Sequence, residues 1–455
     1  MAKVLLCFSS HLFVDGGFKL ISYYEGLIKE LKKCGNQVMV VNCAEFLNKS
    51  WNSDNEENRF LKTEQLKADV SAFNPDLVIS FNNTKLSFIE ELFDCPIVIW
   101  EADSFTFYND KEKIKANPDR YHFFCLSNDA RKQIKSIGAC EDRIHMINSG
   151  TAVEAQSLEK IHNVSFIGSN FKGPKGLRDL LQMHNTPDVK QAVRYLSENF
   201  YVDPEEYLTK NNLSVILEYL DPLDFGMISS AQNRVNTLNA MAEFGLTLFG
   251  SSSWLDTVET CPNLAMAFQP ESVYSLRHNQ DIYNTSQICL NVSHAQAVDG
   301  FSWRIMDIMA SNGCLLSSYN KGIERFTKGY IDIPMFRSSG EASGLARKLL
   351  NDASYRDAVV EGSQACIQDR GRWEHRFQEI YDALGICLVN AGENGSAVSL
   401  KRDNYLKDNY IIYAKSVYFV ASLMSNSSRN KLYFLAKNLG FNIDYHMIKS
   451  VMEKK

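Results

Sequence analysis

The 455-residue chain has no Cys-x-x-Cys pair, no apolar run long enough to cross a bilayer and no excess of positive charge. Each absence removes a class of protein. The 11 cysteines are scattered and odd in number, which argues against a disulfide framework or a cysteine-rich zinc site and for a reducing compartment. Cys7, Cys125 and Cys289 fall inside predicted strands, where a thiol serves as a small core group. A membrane helix needs about 18–20 consecutive apolar residues. The longest candidate, Ile411 to Met424, is shorter and is broken by Lys415. The opening Met1-Ala-Lys-Val-Leu-Leu-Cys-Phe turns polar at Ser9, too early for a cleavable secretion signal. A formal net charge of −6 argues against a chain-wide nucleic-acid surface. There is no low-complexity run, and no internal repeat beyond two similar α/β halves.

What is present is the composition of a globular enzyme, 45% hydrophobic and 22% charged, in a chain long enough for two domains and an appendage. The first half alternates short apolar runs with amphipathic stretches. Val4–Phe8, Val38–Val41, Leu77–Ser80, Ile97–Trp100, Phe123–Leu126 and Ile144–Ile147 read as buried strands. Leu20, Ile21, Tyr24, Leu27, Ile28 and Leu31 recur at helical spacing, and Cys34-Gly35-Asn36 ends that helix. A second series starts at Val164–Gly168 and continues through Thr247–Gly250, Leu264–Ala267, the run from Ile288 and Leu315-Leu316. Helices are predicted over Leu345–Leu350 and Tyr355–Ile367 and from Arg372 onward. Parallel strands alternating with helices give two doubly wound α/β domains. The expected bounds are about 1–160 and about 161–385, with a helical insertion over about 178–232. A linker and a basic helical tail then occupy about 386–455, the linker centred on Ala391–Ser396.

The densest chemistry lies in Val298-Asp299-Gly300-Phe301-Ser302-Trp303-Arg304-Ile305-Met306-Asp307, between two apolar runs. The pattern predicts strand, tight loop, short helix, strand. A helix opening at a glycine turn presents unpaired N–H groups and a positive dipole end, which suit a phosphate. Arg304 offers a planar positive fork for a diphosphate. Asp307, one turn further, is placed to accept hydrogen bonds from a ribose diol. The same residues also fit an Asp-Gly turn, a capping Ser302 and a solvated charge.

The stretch resembles the carboxylate-x7-carboxylate motif of GT-B glycosyltransferases. In its Asp-Gly-Phe-Ser-x-Arg form it is similar to the spore-maturation (CgeB-like) family. The likeness runs from about Val164 to Leu384 without the insertion, carried by Phe166-Ile167-Gly168-Ser169, Asp299 to Gly313 and the pair Trp373/Arg376. The usual motif has Glu at both ends. Here Asp299 and Asp307 are each shorter by about one methylene, so the contact geometry must differ. The resemblance implies two Rossmann-like domains facing a cleft. The second would bind a nucleotide-sugar donor and the first a glycan or lipid-linked acceptor, in cell-surface polysaccharide or glycoconjugate synthesis. It implies retention of anomeric configuration and a site that needs no metal and no cofactor, the leaving diphosphate being stabilised by positive groups. Asp299 and Arg304 are the catalytic candidates it points to. Gly300, Phe301, Ser302 and Asp307 are the donor-binding ones.

Further candidates come from their place in the pattern. Gly16 and Gly17 lie between the first strand and helix, where the backbone can approach donor phosphates; a plain turn is the alternative. Glu101 and Asp103 follow the fourth strand, at the end where ligand groups gather, and are acid/base candidates. Their Glu-x-Asp spacing also fits a metal site of the other, single-domain glycosyltransferase fold, which two α/β series disfavour. His11 is a general base or a surface loop residue. His294 contacts the diphosphate or bonds the backbone at a strand end. Lys172, Lys175 and Arg178 compete for the donor phosphates.

The tail from Lys401 carries ten Lys and Arg against four Asp and Glu, with Tyr405, Tyr410, Tyr413, Tyr418 and Tyr433. It suits either an anionic membrane surface or packing on the first domain. The expected setting is the cytoplasm, with the inner membrane face as the place for a tail-bound form, and no nucleic-acid partner. Two other functions share these features: a nucleotide-sugar epimerase, and a non-catalytic nucleotide-sugar-binding protein.

Overall fold

The structure, a computed structural model, describes residues 1–10, 12–14, 17–47, 55–171, 178–182, 184–199, 202–218, 222–294, 297, 299–390, 395–408, 410, 412, 416 and 419–420. The chain forms two compact units. One comprises Met1–Cys125, Ala130–Asn148 and Phe377–Lys455, the other Leu126–Asp129 and Ser149–Arg376.

The first unit is built on strands β1 (Lys3–Phe8), β2 (Phe13–Val14), β3 (Gly17–Phe18), β4 (Gln37–Asn42), β5 (Leu77–Phe81), β6 (Ile97–Trp100), β7 (Tyr121–Cys125) and β8 (Ile144–Met146). β2 and β3 form a small antiparallel pair, and the other six belong to one parallel sheet. β1 is central, paired with β4 from Lys3↔Gln37 to Phe8↔Asn42 and with β5 from Val4↔Leu77 to Cys7↔Ser80. A strand covered on both faces needs continuous apolar sequence rather than alternation, and Val4 to Phe8 are all fully buried. The first helix spans Ser22–Lys33, two residues later than Leu20 suggested. Its Tyr23, Tyr24, Leu27, Ile28 and Leu31 are buried, and Gly35, at φ 79°, follows its end. Leu5, Val41, Val78, Ile99 and Phe123 lie in a core shared with the flanking helices.

The second unit holds β9 (His162–Ile167), β10 (Leu246–Phe249), β11 (Phe268–Gln269), β12 (Ser286–Asn291), β13 (Cys314–Ser318) and β14 (Met335–Phe336). They form one parallel sheet in the order β11-β10-β9-β12-β13-β14. Leu264–Ala267 is not the expected strand. Pro262 opens a one-turn helix, Pro262–Ala267, and the strand follows at Phe268. Proline suits a first helical turn, where its missing N–H is not needed, and the exposed Met266 shows that the run is not buried throughout. Between β9 and β10 the chain is helical, with Pro187–Glu198, Pro204–Lys210 and Pro222–Met241. Thr186 and Asp203 cap the first two of these helices, each just before a proline. Val189, Val193, Leu196, Leu208, Phe225 and Ile228 give this segment a small core of its own.

Part of the expected linker and tail is neither linker nor helix. β15 (Ser396–Ser399) joins the first sheet beside β4, parallel to it, from Ser396↔Gln37 to Ser399↔Val40. The complete order is β15-β4-β1-β5-β6-β7-β8. An edge strand presents unpaired N–H and C=O groups, and β15 satisfies those of β4. Beyond it Leu400 and Tyr405 enter the first unit's core, and Tyr410 packs edge-on against Phe60 with centroids 5.5 Å apart. No helix among the described residues is long and apolar enough to cross a membrane. Two parallel-sheet α/β units are the fold class the sequence predicts.

Candidate functional site

In the second unit all six strands run parallel, so the segments leaving β9, β12 and β13 emerge on one edge of the sheet, where open α/β sheets place their ligands. β12 ends in Asn291, whose side-chain amide donates to Ser317 Oγ (3.0 Å) and Ser293 Oγ (3.3 Å). Ser293 N–H donates to Ser318 Oγ (2.8 Å). These bonds fix the strand ends before any ligand arrives.

The Trp303–Ala310 helix starts beside them. Ser302 occupies the N-cap position with extended backbone but makes no side-chain cap bond, so the capping role is not the one it fills. Arg304, in the first turn, is half-buried. Its Nη1 donates to Asn291 Oδ1 (3.3 Å), and its guanidinium lies 5.6 Å from the Phe166 ring centroid. Gly168 makes room for it: a Cβ there would stand 2.9 Å from Phe166 Cε1 and 3.3 Å from Arg304 Nη2. Among the described residues no carboxylate comes within ion-pair distance of Arg304.

Asp307 is buried, and Oδ1 accepts a hydrogen bond from Thr151 Oγ1 (2.6 Å). Burial pushes its carboxyl up to about 7, against the opposing pull of the Thr151 hydroxyl, Arg304 and Arg372. Asp307 therefore changes charge near neutrality. His294 is held the other way. Burial, then the positive charge of Arg234, drives its imidazole down to about 3, so the ring is neutral at physiological pH. It meets Phe171 edge-on at 4.7 Å.

The loop before the helix is tightly held. The Asp299 carboxylate accepts the backbone N–H of Asn128 (3.0 Å) and the Asn128 side-chain amide. The Asp299 carbonyl accepts from Arg325 Nη2 (3.2 Å). Gly300 lies against Leu126, where a Cβ would stand 2.7 Å from the carbonyl oxygen. Phe301 is buried edge-on against Phe326, with centroids 5.5 Å apart; it anchors the loop. Asn320 is the clamp. Its Nδ2 donates to Ala297 O (2.8 Å) and Gly300 O (2.9 Å), while Oδ1 accepts from Gly322 N (2.7 Å) and Ile323 N (3.2 Å).

Asp299, Gly300, Phe301, Ser302, Arg304, Asp307 and His294 thus share the second unit. Glu101 and Asp103 belong to the first. Glu101 is buried at the end of β6, its N–H bonded to Phe124 O (2.9 Å). Asp103 accepts from Asn82 Nδ2 (3.1 Å), and Asn82 Oδ1 accepts the N–H groups of Ala102 (2.8 Å) and Asp103 (3.1 Å). Gly17 lies in β3. Arg178 is exposed and paired with Glu259 (3.5 Å). His11, Gly16, Lys172 and Lys175 lie outside the described residues.

Sequence reasoning missed Asn128, Thr151, Asn320 and Arg234. Asn128 and Thr151 act over long separations that leave no local mark, and Asn320 shows locally only its helix-capping half. Arg234 carries a signal, an arginine in a helix whose described residues are buried on nearly every side, which calls for a partner.

Residues 232–382 match the glycosyl transferase-like family. That segment includes Arg234, Asp299, Arg304, Asp307 and Asn320. The fold is GT-B. Sucrose-phosphate synthase from Thermosynechococcus elongatus is similar with a TM-score of 0.51 at 10% identity, over 85% of this chain and 99% of that one. HepE of Anabaena, solved with UDP and glucose, gives 0.44 at 12% identity over 85% and 100%. A putative UDP-N-acetylglucosamine 2-epimerase from Listeria monocytogenes gives 0.40 at 10% over 86% and 98%. No curated protein sequence matches significantly. Within this GT-B frame, Arg304 and the Trp303–Ala310 helix lie in the third of the chain that the family match covers.

Proposed function

We propose that the protein is a glycosyltransferase that moves a sugar from a nucleotide-sugar donor to a glycan or lipid-linked acceptor, in cell-surface polysaccharide or glycoconjugate synthesis. The observation that carries this reading is Arg304. It stands at the carboxyl end of β12 with a neutral amide and an aromatic ring beside it, and no described carboxylate lies within ion-pair distance of it. A cation left in that state, next to a helix N-terminus, favours an anion.

Breaking the bond between the sugar's anomeric carbon and the diphosphate leaves negative charge on the diphosphate oxygens. Positive groups fixed in advance lower that barrier without reorganising. Arg304 and the first turn of its helix supply them here, so no metal is needed. In its ionised form Asp307 accepts the ribose hydroxyls. Asp299 acts through the loop it ties to Asn128, which sets where the helix begins. The acceptor hydroxyl attacks on the face the diphosphate leaves, with retention. The first unit, with Glu101 and Asp103, receives the acceptor. The residues after Tyr410 bring the protein to an anionic cytoplasmic membrane surface.

The test is a thermal-shift screen of the full chain against nucleotides and nucleotide sugars, because a ligand that binds only the native state raises its apparent stability. Transfer assays with the best donor follow. Stabilisation by one nucleoside diphosphate and its sugar is expected. No shift with any of them would sink the reading, and conversion of the donor to an epimer without acceptor would reassign it to isomerase chemistry.

A further inference from the structure

Arg234 sits on the Pro222–Met241 helix and is only 3% exposed. Removing a guanidinium from water costs several kcal/mol unless a counter-charge or a full set of hydrogen bonds replaces the water. No described carboxylate pairs with it. Its Nη1 donates to Ser169 O (2.7 Å), its Nη2 to Val292 O (2.7 Å), and its Nε has no hydrogen-bond partner among the described residues. Phe171 covers it at 3.9 Å and Phe166 lies at 5.3 Å. Phe166 is also the ring beneath Arg304, at 5.6 Å. Two guanidinium groups thus flank one aromatic ring. Burial and the charge of Arg304 both disfavour the protonated form of Arg234, so the pair is a repulsive arrangement that an anion would relieve.

The two carbonyls it binds are informative. Ser169 follows the end of β9 and Val292 the end of β12, and these strands are neighbours in the sheet. A planar fork can span two such acceptors; an ammonium cannot do so in the same geometry.

We propose that Arg234 is a positioning residue for the donor's diphosphate, tying the ends of β9 and β12 together and adding a second positive charge behind Arg304. This rests on the nucleotide-sugar reading above. It assigns part of the preference for a charged nucleotide over a neutral nucleoside to a side chain that does not itself reach the ligand.

The experiment measures dissociation constants of UDP, GDP and ADP and of their nucleosides by calorimetry, for the wild type, Arg234→Met and Arg234→Lys. For the nucleotide that binds, Arg234→Met should reduce the diphosphate-to-nucleoside affinity ratio by about tenfold, or ~1.4 kcal/mol. Arg234→Lys keeps the charge and should restore most of that ratio while weakening both ligands, since the cross-tie is gone. Equal losses for diphosphate and nucleoside in Arg234→Met would mean a purely structural role and overturn the proposal. So would a lysine variant whose ratio is as low as that of the methionine variant. If Arg234→Met does not fold, Arg234→Gln, which keeps an amide donor for one carbonyl, carries the same comparison. A wild type that binds no nucleoside diphosphate would instead overturn the nucleotide-sugar reading and this proposal with it; a wild-type preference that the variants retain removes only this one.

Discussion

Asp307 joins two properties that pull against each other. Its carboxyl is buried, with a value of about 7 against an ordinary 3.8, so the native state holds a proton that the unfolded chain releases. Its contribution to stability is fully present below about pH 4 and is lost as the pH rises through 7, by on the order of a few kcal/mol. Asp307→Asn should flatten that part of the pH profile, which denaturant melts at pH 5 and pH 8 would show. Donor binding should run the other way. If ribose hydroxyls donate to the carboxylate, affinity rises from pH 6 to pH 8 in the wild type. Asp307→Asn then weakens binding by ~1.5–3 kcal/mol, the range for hydrogen bonds to a charged group. Unchanged donor affinity in calorimetry would take Asp307 out of the site. Arg304 makes a kinetic prediction instead. A group that answers charge on a departing diphosphate matters more in the transition state than in the ground state. Arg304→Lys should therefore lower kcat as well as donor affinity, because the planar fork is lost. If Arg304 and Arg234 provide the positive field, as proposed, activity should also survive excess EDTA; abolition by EDTA with rescue by Mn²⁺ would reject the metal-free site.

Asn320 joins Ala297 and Gly300 to the Lys321–Thr327 helix, beside the Arg325 bond to Asp299 O, and it combines two roles that a single substitution can split. Asn320→Asp keeps an oxygen for the N–H groups of Gly322 and Ile323 but sets an oxygen against the carbonyls of Ala297 and Gly300. Left unsatisfied, the buried Gly300 carbonyl costs about 1–3 kcal/mol and the partly buried Ala297 carbonyl about 1 kcal/mol. Chemical denaturation should show a loss of roughly 2–4 kcal/mol, and a variant as stable as wild type would show that the clamp contributes little. Locally Asn320 reads only as the N-cap of the helix that follows; its two carbonyl partners lie 20 or more residues back and leave no mark in the sequence. The strands were legible because each parallel strand is buried on both faces and must be an apolar run. That logic failed where the run was too short or the residues too polar. Leu264-Ala265-Met266-Ala267 is apolar yet helical because Pro262 starts a turn, and Ser396–Ser399 is polar yet a strand because the open edge of β4 recruits it. The candidate site follows the same division. Arg304, Asp307 and Gly300 stand close together in sequence and were visible as a motif. Arg234 and Thr151 reach the same strand ends and the same helix from remote parts of the chain, and only folding brings them there.

The carboxyl-terminal region changes character at Tyr410. Through Tyr410 its side chains take part in the core of the first unit. β15 extends the sheet, the Tyr405 hydroxyl donates to Asp69 Oδ2 (2.8 Å), and Tyr405 and Tyr410 are buried. These two tyrosines therefore follow the packing reading and are not available to a membrane. After it three of the four described side chains are exposed and apolar, Ile412 at 66%, Phe419 at 64% and Val420 at 43%, the fourth being the exposed Ser416. Residues 411–455 carry seven Lys and Arg against two Asp and Glu. Each cation near an anionic surface contributes about 1 kcal/mol of attraction, screened by salt. Cutting the chain after Ser396 would remove core residues and confuse lost binding with lost folding. A chain ending at Tyr410 avoids that. It should keep the thermal stability of the full-length protein to within the effect of a surface change, about 0.5 kcal/mol. Full-length protein should sediment with vesicles containing phosphatidylserine at low salt and be released by high salt, while the shortened chain stays in solution. Equal sedimentation of the two forms would place the membrane contact elsewhere. No sedimentation of either, with stability sharply lower in the shortened chain, would make the last 45 residues part of the fold rather than an anchor.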